Sequence, residues 1–127
     1  MEEQMKISTV DAGFRSIDEL AVSAHRTAID KGFWPEKNVS LQRSIDLDQV
    51  MSKLALMHSE ISEILEALRK SKGVEKTTEE FADLVIRSMD VWAHLLEYGM
   101  VTSLDEAILN KMSINESRER MHGHVWG

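Results

Sequence analysis

The chain has 127 residues, enough for one domain with a real core, and 15 Lys and Arg against 22 Asp and Glu leave a net charge of −7. Such a surface repels nucleic acid and anionic membrane on average, so neither is an expected partner. The absence of cysteine excludes disulfides, thiolate metal sites and a thiol nucleophile, while 43% hydrophobic residues, one proline, six glycines and eight methionines point to a globular all-α protein.

Residues 1–15 read as a peripheral arm whose end Phe14 and Ile17 can anchor. The start, MEEQMKISTV, has no basic segment followed by an apolar run, and no stretch approaches membrane-spanning length, so a cytoplasmic protein is expected. A first helix is expected from about Ser16 to Lys31, with Ile17, Leu20, Ala21, Ala24 and Ala28 on one stripe and Gly32 as its C-terminal stop. Phe33 and Trp34 follow in a loop, either as a lid on the core or as a platform for a ligand. Ser40–Asp46 reads as a short helix or an irregular approach to the next element.

A second helix is expected from about Asp48 to Lys70, with Asp48 as N-cap and Gly73 just beyond its end. Leu54, Met57, Ile61, Ile64, Leu65 and Leu68 form its apolar stripe, within about 60° of Ile61 on the helical wheel. Glu60 and Glu63, one turn apart, point the same way and share a sector with Leu56 and Ala67, which is unusual for a plain solvated face.

The third helix, capped by Thr77 or Thr78, is apolar around most of its circumference, from Phe81 and Leu84 to Trp92 and Leu96. One small subunit can hardly cover so much apolar surface, which predicts an oligomer. Glu79, Glu80, Asp83, Arg87, Asp90, His94 and Glu97 make a polar stripe about 27 Å long. It is either the strip of a buried helix that meets water or the lining of a cleft, and its excess of acids favours cations. The fourth helix is expected from Thr102 or Ser103 to about Met121, with Ala107, Ile108, Met112 and Ile114 apolar. Lys111, Asn115 and Arg118 share one of its faces, as solvated surface or as a phosphate clamp. The tail HGHVWG is expected to be peripheral.

Glu60 and Glu63 with Glu80 and Asp83 make two acidic pairs of equal spacing, which would repel one another unless cations neutralise them. An oxygen-only set suits magnesium or manganese better than zinc or iron. Ions bridging a triphosphate would neutralise its charge and acidify a bound water.

These residues carry a resemblance. Glu60-x-x-Glu63, sixteen residues, then Glu80-x-x-Asp83, together with GFW…N, KLALMHSEISEILEALRK, EEFADLVIRSMD and K-x-x-x-N-x-x-R-x-x-x-HG, resembles the MazG-like, all-α nucleoside triphosphate pyrophosphohydrolases over about residues 25–123. The resemblance implies a single domain over 1–127, a four-helix-bundle-like subunit of that type, and a homodimer or homotetramer. It implies Mg2+-dependent hydrolysis of a (deoxy)nucleoside triphosphate to monophosphate and pyrophosphate, for nucleotide-pool house-cleaning, with Mn2+ as a substitute ion. Glu60, Glu63, Glu80 and Asp83 would hold metal, Lys111, Asn115 and Arg118 would contact phosphates or sugar, from a neighbouring subunit in one arrangement, and Trp34 and Asn38 would lie near the base. Glu119 after Arg118 departs from the family's basic ending, so His122 is not counted as a ligand. Two rivals stand beside this reading: a non-enzymatic, partner-binding helical bundle, and a di-iron bundle. The di-iron class wants two Glu-x-x-His motifs, and Glu119 with His122 is the one present.

Overall fold

A computed structural model describes Gly13, residues 15–34 and residues 44–118. The arm up to residue 12, Phe14, Asn38, most of the Ser40–Asp46 approach, and Glu119, His122 and the tail lie outside the described residues. Four helices run in order: α1 (Ile17–Asp30), α2 (Leu47–Arg69), α3 (Val74–Glu97) and α4 (Leu104–Ser117), with no strand among the described residues. No helix there is long and apolar enough to cross a membrane.

α2 and α3 form an antiparallel hairpin, α1 packs along α3, and α4 touches the rest chiefly through α1. The core lies where α1 meets the second half of α3. Ala21, Met89, Trp92 and Ala93 make one buried cluster, and Ala28, Trp34, Val50 and Val91 another. The small Ala21 and Ala28 let α1 approach α3 closely enough for the Trp92 indole to be covered. Trp92 spends its indole N–H on the Thr102 carbonyl at 3.1 Å, so its polar edge is satisfied as well.

The ends of α1, α2 and α3 share one stop. After α1, Gly32 and Phe33 donate to the carbonyls of Ile29 and Ala28, and after α3, Gly99 and Met100 donate to those of Leu96 and Leu95. Both glycines have the positive φ this motif requires, 84° and 72°. After α2 the same bonds run from Ser71 to Leu68 and from Lys72 to Ala67, so Ser71, at φ 48°, occupies the position a glycine would favour.

Three expectations need correction. Asp46, not Asp48, caps α2, accepting from the Gln49 amide at 3.2 Å. α3 starts at Val74, and Thr77 and Thr78 sit inside it, each donating its hydroxyl to the carbonyl four residues back at 2.8 Å. α4 is capped by Ser103 as expected but ends at Ser117, short of Met121. The apolar stripe of α2 is corrected too. Of its six residues only Ile64 is buried, whereas Ile61, Leu65 and Leu68 are more than half exposed. Within the chain α2 is buried along a narrow edge, Val50, Ile64 and Ala67, and leaves the broad Ile/Leu face outward. Phe81, Val85 and Ile86 on α3, and Leu109 and Met112 on α4, are likewise exposed, and α4 has no buried residue.

Candidate metal centre

The α2–α3 hairpin sets Glu60 opposite the second acidic pair. Carboxylate oxygens of Glu60, Glu80 and Asp83 lie within 4.8 Å of one another. Glu80 is buried, Glu60 half-buried and Asp83 exposed, so the group forms a slope from the hairpin interior to solvent. Glu63 stands one turn further along α2, exposed, and is not part of this group.

Two cations compensate the acids. Arg87 Nε donates to Glu60 Oε2 at 2.5 Å, and Lys76 Nζ lies 3.2 Å from Glu80 Oε2. The hydrogen bond to Glu80 and its negative charge hold the Lys76 ammonium above its usual range, with Glu79 and then Glu63 adding to the field. Two cations against three carboxylates leave the cluster net negative, so a divalent cation is still attracted. Magnesium binds oxygens at about 2.0–2.1 Å, so oxygens on opposite sides of one ion are about 4.2 Å apart. The cluster meets that span after a small side-chain adjustment, and its all-oxygen donor set fits a hard cation.

Beyond Asp83 a cleft of about 180 Å³ opens between α1 and α3, bounded by Thr27, Ala28, Phe33, Arg87 and Asp90. That is below the roughly 300–1,000 Å³ of sites enclosing a whole drug-sized ligand. It suits one ring system with the remainder of the ligand outside. Phe33, 59% exposed, offers the aromatic face. Trp34 is turned inward instead, 1% exposed, in the lid-on-core role.

Behind the cleft, Asp90 is held by two donors. His25 Nδ1 lies 2.6 Å from its Oδ1, and the Trp34 indole N–H is shared between its oxygens at 3.0 and 3.1 Å. Trp34 stacks on His94 with ring centres 3.8 Å apart, and His25 meets both rings edge-on. Lys53 Nζ fastens this loop to α2 by donating to the Phe33 carbonyl at 2.6 Å, and sits 4.8 Å above the Trp34 ring. The polar stripe of α3 is thus neither a wet strip nor a uniform lining. Its first half, Glu80 and Asp83, meets α2, and its second half, Asp90 and His94, is packed under α1 and the Trp34 loop.

Lys111, Asn115 and Arg118 are exposed on or just past α4, the helix that packs mainly on α1, and stand apart from the α2–α3 cluster. Sequence reasoning weighed neither Lys76 nor the pairing of Arg87 with Glu60. Lys76 lies four residues before Glu80, a spacing that would have signalled that pair, whereas Arg87 and Glu60 lie 27 residues apart on different helices and no local spacing marks them. Compared with family models, curated proteins and solved structures, the chain matches none.

Proposed function

We propose that the protein hydrolyses a (deoxy)nucleoside triphosphate to the monophosphate and pyrophosphate with Mg2+, in nucleotide-pool house-cleaning. The observation that carries this reading is the convergence of Glu60, Glu80 and Asp83 from two helices beside a ring-sized cleft that shares Asp83 and Arg87. Glu60, Glu80 and Asp83, with Glu63 after the acidic-pair motif, would hold the metal. Bound there, the ion supplies neutralisation of the triphosphate and a more acidic water. Phe33 gives the base an aromatic wall, while Ala28 and Thr27 limit its size. Asp90, fixed by His25 and Trp34, presents a carboxylate of defined orientation at the back. Trp34 on this reading supports the pocket from behind.

Lys111, Asn115 and Arg118 would reach phosphates only across a subunit boundary, since they stand apart from the acids of their own chain. The exposed Ile61, Leu65, Leu68, Phe81 and Leu109 supply the apolar surface for such a homodimer or homotetramer. The test is a panel of normal and modified (d)NTPs with Mg2+, scored for pyrophosphate. Release from at least one nucleotide, abolished in Glu60→Ala and in Asp83→Ala while the protein stays folded, is the expected result. Most turnover surviving in either variant removes the metal assignment.

One observation favours a second reading, a non-enzymatic partner-binding bundle: Arg87 and Lys76 already compensate much of the acid charge without a metal. On that reading no nucleotide releases pyrophosphate, and Glu63→Gln, at an exposed position, changes stability by less than about 0.5 kcal/mol and alters nothing else.

A further inference from the structure

Arg87 stands where the two halves of the proposed site meet. Its Nε is hydrogen-bonded to Glu60 Oε2, and its side chain also borders the cleft beyond Asp83. Glu60 is one of the three carboxylates that can face a single cation, so Arg87 and an incoming ion would share one carboxylate. A guanidinium and a divalent cation on the same carboxylate repel strongly at that range. The Arg87 side chain is 44% exposed and sits on a helix held elsewhere, so it can rotate away without moving backbone. Its planar fork of donors matches a phosphate at least as well as a carboxylate. Lys76 differs: it compensates Glu80 but does not border the cleft.

We propose that Arg87 is an exchangeable counter-ion, which neutralises Glu60 in the metal-free protein, leaves it when a divalent cation enters, and turns to the phosphate chain of the substrate. This rests on the metal-binding reading above and adds a coupling to it. Metal alone has to displace Arg87, whereas metal arriving with a polyphosphate gives Arg87 a new anion. Binding of the two ligands is therefore mutually strengthening.

The test uses the full chain and two probes, Mn2+ followed by electron paramagnetic resonance and inorganic tripolyphosphate followed by calorimetry. Without polyphosphate, Arg87→Gln is expected to bind Mn2+ about three- to tenfold more tightly than the parent, because the competing cation is gone. At saturating Mn2+, the same variant is expected to bind tripolyphosphate about tenfold more weakly. Lys76→Gln shares the first effect and not the second. Arg69→Gln, which removes equal charge about 13 Å further along α2, shows neither. Arg87→Lys, retaining the charge, keeps Mn2+ affinity near the parent value and guards against a folding artefact. Mn2+ affinity in Arg87→Gln that is unchanged or weaker, or an unchanged affinity for tripolyphosphate, overturns the counter-ion role and leaves the metal site standing. A parent protein that retains no Mn2+ even with tripolyphosphate overturns both.

Discussion

Asp18 accepts from the Ser103 hydroxyl at 2.7 Å and from the Leu104 and Asp105 amides at 2.9 and 3.0 Å. Burial raises its pKa, the largest single effect, but the hydrogen bonds from Ser103, Asp105 and Leu104 together outweigh it and leave the carboxyl below its ordinary 3.8. A group depressed in the folded state contributes stability that is complete above its unfolded pKa and is lost as pH falls through the folded one. Thermal melts should therefore show the Asp18 contribution intact above about pH 5 and fading below 3.8. Asp18→Ala, which leaves the start of α4 without its acceptor, should cost about 1–2 kcal/mol at neutral pH and flatten that acid slope. At the proposed site, Asp83→Ala should remove Mg2+-dependent turnover with little change in melting temperature, because its carboxylate is exposed and supports no packing.

Ser71 ends α2 with a φ of 48°, where an L side chain is strained and glycine is not. Ser71→Gly should stabilise the protein by roughly 0.5–1 kcal/mol, seen as a higher urea midpoint at constant slope. Helix identity and order were legible in the sequence because period-3.6 patterns and the Gly32 and Gly99 stops are local signals. The helix starts were harder. Asp46 and Asp48 are both good caps, and only the turn geometry selects Asp46. Thr77 and Thr78 look like caps but bond back within the helix. At the site, the three-residue spacing put Glu80 and Asp83 on one face, and pairing of α2 with α3 brought Glu60 to them. A lid on the core was legible as one reading of Phe33 and Trp34, but not that Trp34 alone turns inward, since its partners Asp90 and His94 lie 56 and 60 residues away in the chain. Nor was the outward turn of Leu65 and Leu68, because periodicity marks an apolar face without saying which chain covers it.

For the molecule as a whole, the exposed apolar residues of α2, α3 and α4 predict self-association. Sedimentation should find a dimer or tetramer, and Leu65→Glu with Leu68→Glu should shift it to smaller species by placing charge on that face. If the Lys111, Asn115 and Arg118 face completes a neighbour's site, then inactive Asp83→Ala and Arg118→Ala chains mixed by unfolding and refolding should regain part of the activity. Failure of that rescue would place the phosphate contacts elsewhere. The start of α1 and the start of α4 hold each other: Asp105 receives the Ile17 and Asp18 amides at 3.0 and 3.1 Å, while Asp18 receives those of Leu104 and Asp105. Ser16 and Ser103 cap the two helices locally, and the remaining first-turn amides of each are satisfied by the carboxylate of the other, from the far end of the chain. The α2–α3 hairpin, built from neighbouring contacts, can form early, whereas this clasp closes last and opens first. The amides of Ile17, Asp18, Leu104 and Asp105 should consequently exchange their hydrogens as one unit, with a common opening free energy, and a change at either carboxylate should speed all four.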